Sequence, residues 1–313
     1  MLYKEYSKTL ADKYGEKVYK LPVNLDVTCP NRDGTIGLGG CAYCGSCGAG
    51  YESLSNALSA KEQLKLNMEY IGPKYNAKKF IAYFQNFSNT YMPPEDFREA
   101  VMQSRMDNIV GIDVSTRPDC ISAKYLDILK ETGLDICVEL GLQTVNYHTL
   151  KSINRGHSLA EFIDAVLTVK SYGFETCAHV ILDFPQDDME DVIECAKILS
   201  ALKIDTVKLH SLYIVKGTQF EKMYDDGSLK LLSVTDYVDR CIAFLRHLSP
   251  DISVARIIGR APEKDTRIAN FGMSWWKIKD MICAKMEEGN IRQGDMCTYL
   301  GGSAVKKFLQ NKE

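Results

Sequence analysis

No stretch of this chain approaches the roughly 18 uninterrupted apolar residues of a membrane span, and the segment Met1 to Lys8 has no apolar signal-peptide core. A cytoplasmic protein with no membrane partner is expected. Internal repeats and low-complexity tracts are also missing, which sets aside a solenoid or a compositionally biased arm. Charge of one sign is scarce: 38 Lys+Arg against 41 Asp+Glu leave a net charge of -3, without the excess of a general nucleic-acid binder. The distribution is uneven, because residues 252–313 hold 11 Lys+Arg against 7 Asp+Glu, and the chain before them holds 27 against 34. A local basic surface is therefore expected in the carboxyl-terminal part.

Cysteine is plentiful by contrast. Eleven cysteines, an odd number with no secretory signal, argue for reduced thiols and against a disulfide framework. Cys120, Cys137, Cys177, Cys195, Cys241, Cys283 and Cys297 lie in apolar or helical settings and read as packed thiols. The remaining four fall close together near the amino terminus.

With 313 residues, 45% hydrophobic and 25% charged, the chain can bury a large core. Apolar, β-branched runs predict strands over Pro22–Thr28, Lys79–Phe84, Ile109–Ser115, Leu134–Leu140, Phe174–Leu182 and Ile204–Val215. Helical periodicity falls between them, near 59–71, 94–106, 122–132, 158–171 and 187–202. In the last, Met189, Val192, Ile193, Ala196 and Leu199 form one apolar stripe. Such alternation predicts the α/β class, with parallel strands and crossover helices. Six units followed by helix near 235–249 suit an incomplete βα barrel better than a closed eightfold one. Ile252–Ile258 reads as a further strand opening an extension, and 259–270 as linker-like. The expected organisation is an N-terminal extension over 1–20, a core over 21–258 and a C-terminal extension over 259–313.

Reactive residues on parallel βα architectures gather at the carboxyl ends of strands. Cys29, Cys41 and Cys44 follow the first predicted strand, in a loop studded with Gly37, Gly39 and Gly40. Three thiolates hold three irons of a cubane cluster and leave the fourth open to another ligand. The glycines let backbone amides approach an anionic cluster. Tyr43, one residue before Cys44, offers a ring to cover a flat adenine. Cys47 extends the run to Cys-x2-Cys-x2-Cys, a ferredoxin- or zinc-like spacing that with Cys29 would supply four ligands and close the site.

These cysteines stand with an ordered set of blocks: Thr28-Cys-Pro-Asn-Arg-Asp-Gly-Thr35, Tyr83-Phe-Gln-Asn-Phe-Ser-Asn-Thr-Tyr91, Ser115-Thr-Arg-Pro-Asp-Cys120, Glu139-Leu-Gly-Leu-Gln-Thr144, Ile153-Asn-Arg-Gly-His157 and Val207 to Thr218. Together they resemble the radical S-adenosylmethionine (SAM) enzymes, and among them the YhcC-like branch related to the catalytic subunit of Elongator. The eleven residues between Cys29 and Cys41 match the longer form of that signature. The resemblance implies a partial (β/α)6 TIM-like barrel of the radical SAM type. It implies a 4Fe-4S cluster on Cys29, Cys41 and Cys44, with SAM chelating the open iron through its amino and carboxylate groups. One electron then cleaves SAM to methionine and a 5'-deoxyadenosyl radical, which abstracts a substrate hydrogen.

It also implies contacts. Gln85, Asn86 and Ser88 stand where relatives carry a Gly-Gly-Glu contact to the SAM amino group, and turn chemistry accounts for them as well. Gln143 resembles a ribose-binding glutamine of coproporphyrinogen-oxidase-like relatives. Ser115 stands where relatives often have glutamate, and Glu139 reaches the same rim if Leu140 faces the core. His179 joins Tyr43 among the cofactor contacts. Lys208 and His210 share one strand face and are the candidate catalytic pair, since a buried lysine needs a partner; each strand histidine also reads as a hydrogen-bonded core residue. Arg117 pairs with an anion or with Asp119. Arg155 and His157 are placed to grip an anion at the entrance to a helix capped by Ser158. Trp275, Trp276, Lys277 and Lys279 mix rings and charge as single-stranded RNA surfaces do, or anchor a helix.

The expected activity is remodelling of the C5 side chain of a tRNA wobble uridine, served by a low-potential electron donor such as flavodoxin or ferredoxin. Gram-positive members of the branch look like enzymes of the 5-aminomethyluridine route. The length leaves no room for Elongator's acetyltransferase domain, which favours trimming an existing side chain. A small-metabolite substrate and a non-catalytic iron–sulfur or zinc module that binds RNA are the competing readings.

Overall fold

The computed structural model describes residues 1–45, 48, 53–260 and 264–309. The chain begins with α1 (Tyr6–Tyr14) and β1 (Val18–Val23), then runs α2 (Ala60–Tyr75), β2 (Lys79–Phe84), α3 (Pro94–Met102), β3 (Ile109–Thr116), α4 (Ala123–Glu131) and β4 (Asp135–Gln143). It continues through α5 (Tyr147–Ser152), α6 (Leu159–Ser171), β5 (Glu175–Ile181), α7 (Met189–Ala201), β6 (Thr206–His210), β7 (Ile214–Val215) and α8 (Gln219–Asp225). The last elements are α9 (Val234–His247), β8 (Ser253–Arg256), β9 (Thr266–Ile268), α10 (Trp275–Glu288) and α11 (Lys306–Leu309).

Alternation within the strands decides what lies inside the sheet. Phe80, Ala82 and Phe84 of β2, Ile112 and Val114 of β3, and Ile136, Val138 and Leu140 of β4 join one apolar cluster with Leu64, Phe97, Leu126 and Phe162 of the helices. The intervening residues, among them Tyr83, Asp113, Ser115, Glu139, His179 and Lys208, face the other way. Side chains on that second face touch across several strands: Lys208 Nζ of β6 lies 3.1 Å from Tyr83 Oη of β2. Four strand spacings on a flat sheet would separate them by roughly 19 Å. The sheet is therefore curled, and it encloses a lumen. Four crossover helices start on capping boxes, Ser59 with Glu62, Ser158 with Glu161, Asp188 with Asp191 and Ser233 with Asp236, each of which satisfies two orphan backbone donors.

The architecture is a partial parallel βα barrel, as expected, and the strand expected over Ile252–Ile258 to open an extension instead joins the barrel sheet. The sheet runs β1-β2-β3-β4-β5-β6-β8, and β8 extends it by pairing parallel to β6, Thr206 against Ser253. The apolar run predicted as one strand over Ile204–Val215 breaks in two: β6 stays in the barrel and β7 pairs antiparallel with β9. The first strand is Val18–Val23 where Pro22–Thr28 is expected, so the two share only Pro22 and Val23. Proline is tolerated there because β1 lies at an edge of the sheet.

Helix α1, which hydropathy did not single out, closes the amino-terminal end of the barrel. Tyr14 Oη donates to Asp135 at the start of β4 (2.7 Å), Lys13 Nζ to Glu175 at the start of β5 (2.8 Å), and Lys79 Nζ at the start of β2 to the Tyr14 carbonyl (2.9 Å). Tyr6 and Leu10 pack against Val18 and Ile81. Gln293, beyond α10, accepts from the Lys4 amide at 2.8 Å and donates to Ser249 and Ile252 carbonyls, tying the two chain ends together. No helix among the described residues is long and apolar enough to cross a membrane.

Asp183, just after β5, is buried and accepts the Leu212 amide at 2.6 Å. Burial outweighs that bond and raises its carboxyl to about 7. The native state then keeps a proton that the unfolded chain gives up near its ordinary value of 3.8, so this group lowers stability as pH rises from about 4 to about 7. Asp183→Asn is expected to flatten that part of the stability curve in urea melts and to be more stable than wild type at pH 8. An unchanged slope would contradict the assignment.

Candidate active site

A cavity of about 580 Å³ opens at the carboxyl ends of the strands, and Cys29, Cys41 and Cys44 all line it. The loop that carries them folds on itself: the Arg32 amide donates to the Cys29 carbonyl (2.8 Å), the Gly40 amide to Asn31 (2.8 Å) and the Cys44 amide to Cys41 (2.9 Å). Gly40 has φ +85°, and a Cβ on Gly37 would stand 2.4 Å from Asn31 Oδ1, so both positions require glycine. The loop is anchored from outside by bonds from the Ala42 amide to the Ile153 carbonyl and from the Phe220 amide to the Ala42 carbonyl (2.9 and 3.0 Å). Tyr43 packs its ring against Phe184 and Phe220.

Cations face the sulfurs. Arg155 Nη1 lies 3.5 Å from Cys41 Sγ, and Arg32 Nη2 lies 3.5 Å from Cys44 Sγ. Burial pushes the Cys41 thiol up, but Arg155, with help from Arg117 and Tyr43, pulls it below the ordinary thiol range. At Cys44 burial and the neighbouring Cys41 win over Arg32, and the thiol is raised.

The donor set suits a cubane. A single ion at Zn–S distances of about 2.3 Å needs its thiolates close together, yet among the described residues the potential ligand atoms that converge within 4.8 Å are those of Glu139, Cys177 and His179, not the three cysteines. A cubane spreads its thiolates over separate irons. The Glu139, Cys177 and His179 group itself does not suit a cation, because Lys20 and Lys208 already occupy the carboxylate.

Glu139 is the centre of the lumen. It accepts from Lys208 Nζ at 2.6 and 2.5 Å, from Lys20 Nζ at 2.8 Å, from Ser115 Oγ at 3.2 Å, and is 2.8 Å from His179 Nε2. Lys20 also pairs with Asp113. Burial alone would raise the Glu139 carboxyl, but Lys20, Lys208 and His179 together hold it well below the usual range. Asp113, buried beside Glu139 and only partly compensated by Lys20, is raised to about 6. Burial lowers His179 to about 4 despite Glu139, so its ring is neutral at pH 7. His210 stacks on it with centroids 5.3 Å apart; burial and then Arg256 hold His210 well below its ordinary value. Arg256 Nη2 is 3.0 and 3.1 Å from the two His210 ring nitrogens.

Of the residues singled out in the sequence, Tyr43, Gln85, Ser88, Ser115, Arg117, Glu139, Gln143, Arg155, His179 and His210 line this cavity with the three cysteines. Asn86 and Lys208 are not among its lining residues. Asn86 is buried and donates to Asn24 Oδ1 at 2.9 Å, shaping the turn after β2, and Lys208 reaches the cavity only through Glu139 and Tyr83. Gln143 has φ +75° at a register shift in β4, a strained conformation for a non-glycine residue. Arg117 grips Asp119 with two bonds of 2.8 and 2.6 Å. Ser158 caps α6. Cys47 lies outside the described residues. Sequence reasoning passed over Lys20, Asp113, Arg32, Tyr83 and Arg256. Lys20 and Asp113 had a usable signal, a charged residue on the same alternating face as Tyr83, Glu139 and Lys208; Arg32, a loop residue, had none.

Removing one partner of a buried ion pair costs about 3–5 kcal/mol, while removing both charges costs less. Lys208→Met is expected to lose stability on that scale in denaturant melts, and adding Glu139→Gln to recover part of it. Simple additivity of the two losses would contradict the pairing.

Residues 29–199 match the Radical SAM superfamily, and residues 204–288 the Radical_SAM C-terminal domain. The chain is 33% identical over 300 residues to an uncharacterised protein of Methanocaldococcus jannaschii, covering 94% of this chain and 92% of that one. It is 34% identical over 256 residues to YhcC of Escherichia coli, covering 80% and 82%. Among solved structures, the Elp3 of Methanocaldococcus infernus superposes with a TM-score of 0.67 at 18% identity, over 88% of this chain and 64% of that one, a likeness of fold over less than two thirds of Elp3.

Proposed function

The chain belongs to the radical SAM superfamily, and from that premise we propose that it acts on RNA, remodelling the C5 side chain of a tRNA wobble uridine. As a member it is an enzyme whose cofactors are a 4Fe-4S cluster and SAM. When bound, these supply an electron and a 5'-deoxyadenosyl radical able to take hydrogen from an unactivated carbon. In this reading Cys29, Cys41 and Cys44 hold the cluster, and Tyr43 lies against the adenine. Gln85 and Ser88, on the turn that Asn86 shapes, would take the amino group, while Ser115 and Gln143 would take the ribose; Glu139, whose carboxylate is already filled by Lys20, Lys208, His179 and Ser115, holds Ser115 rather than touching the ribose itself. Neutral His179 and His210 present a polar, uncharged wall to the substrate, and Lys208 keeps Glu139 ionised and in place. A low-potential donor such as flavodoxin or ferredoxin supplies the electron in the cytoplasm.

One observation carries the RNA assignment. Arg256 lines the cysteine-bearing cavity and also a second groove, which it shares with Trp275 and Lys279. The two tryptophans are not packed away: Trp275 is 41% and Trp276 50% exposed, with Lys277 Nζ 5.5 Å from the Trp276 ring. Exposed rings and cations on a groove that shares Arg256 with the cysteine-bearing cavity suit a strand whose bases stack and whose phosphates pair. The sequence likeness to the catalytic subunit of Elongator points the same way and suggests the wobble position.

Purified protein given tRNA, SAM and a reductant is expected to release 5'-deoxyadenosine and to change the mass of one wobble nucleoside. Release of 5'-deoxyadenosine with every tRNA nucleoside unchanged would overturn the substrate assignment and favour a small metabolite. The Trp275→Ala, Trp276→Ala double variant is expected to weaken salt-sensitive tRNA binding by roughly tenfold or more, from about 1–3 kcal/mol per stacked base, with iron content unchanged.

A further inference from the structure

We propose that Arg155 and Arg32 are hydrogen-bond donors to the thiolates of the cluster and that they raise its reduction potential. The inference rests on Cys29, Cys41 and Cys44 as cluster ligands and is independent of the RNA substrate.

Arg155 is 7% exposed, and among the described residues no carboxylate pairs with it. A buried cation without a counter-charge is costly, so its partner must be sought nearby. One terminal nitrogen, Nη2, donates to the Gly141 carbonyl at 2.7 Å, and Nη1 points at Cys41 Sγ at 3.5 Å. Its own carbonyl accepts Arg117 Nη1 at 2.8 Å. The guanidinium is thus fixed at both ends with the sulfur as its anionic partner.

The segment around it dovetails with the cysteine loop. Asn154 Nδ2 donates to the Gly40 carbonyl at 2.9 Å, and Asn31 Nδ2 donates to the Asn154 carbonyl at 2.5 Å while lying 3.7 Å from Cys41 Sγ. Gly156 has φ +80°, and a Cβ there would sit 2.9 Å from Asn31 Oδ1, so the segment can approach this closely only with glycine. Within Asn-Arg-Gly-His, Arg155 faces the cysteine sulfur and Asn154 holds the loop, whereas His157, expected to share an anion with Arg155, lies 3.1 Å from the Ser158 carbonyl instead.

Arg32 serves Cys44 in the same way. Its Nη2 is 3.5 Å from Cys44 Sγ and 2.8 Å from the Cys44 carbonyl, with the guanidinium 5.2 Å from the Phe87 ring. It is only partly buried, so water screens it more than Arg155.

Donors and positive charge at the sulfurs favour the cluster state that carries one more electron. The test is a potentiometric titration, followed by electron paramagnetic resonance, of reconstituted full-length protein without SAM. Arg155→Gln, with full iron and sulfide, is expected to hold at least tenfold less reduced cluster at a fixed donor potential, a fall of about 59 mV for one electron. Arg32→Gln is expected to lose about threefold, and Arg155→Lys, which keeps the charge but not the fork, to fall between wild type and Arg155→Gln. A fully loaded Arg155→Gln protein with the wild-type potential would overturn the proposal. Should that variant not retain a cluster, Arg32→Gln decides, an unchanged potential counting against the proposal. Absence of a cluster from wild-type protein would instead sink the ligand assignment.

Discussion

A curled parallel sheet must fill the space it encloses, and this chain fills it with charge around Glu139. One carboxylate receives Lys20 from β1, Ser115 from β3, His179 from β5 and Lys208 from β6. Because side chains alternate with a period of two, a one-residue slip of any of these strands would move its member to the helix side. The network therefore specifies register across most of the barrel. Its contribution to net stability is a different matter, since buried ion pairs often do no better than apolar packing. What it provides is a fixed, almost neutral floor beneath the cavity, with an ionised carboxylate and two uncharged imidazoles in defined places.

Above that floor the site is assembled from loops that lock one another. The cysteine loop cannot hold its shape alone; Asn154 and Arg155 reach into it from the turn after α5, and Asn31 reaches back. At the other end of the barrel, α1 and the Gln293 tie seal the strands' amino ends. The cavity consequently opens at the carboxyl ends, and Arg256 of β8 lines both it and the separate groove that Trp275 shares with Tyr3 and Tyr6.

Much of this was legible in the sequence. The strand predicted over Lys79–Phe84 coincides with β2, and those ending near Ser115, Leu140 and Leu182 place Ser115, Glu139 and His179 at the cavity, because apolar runs in parallel sheets are nearly continuous and polar interruptions mark the lumen. A first strand over Pro22–Thr28 begins beyond Lys20, so the alternation that places Lys20 in the lumen falls outside it. The seventh strand was visible as Ile252–Ile258 but looked like the start of an extension, since nothing local in a short apolar run says which neighbour it will pair with. Arg32 and Arg155 act through loop geometry, and no periodicity encodes the distance between a guanidinium and a sulfur 114 residues away.

The chemistry asked of this scaffold depends on three thiolates leaving one iron for the cosubstrate. Mössbauer spectroscopy of protein reconstituted with iron-57, before and after SAM is added, addresses that point most directly. The account predicts that one iron in four changes its signal when SAM binds. Four irons that stay unchanged, each already capped by a protein ligand, would contradict it.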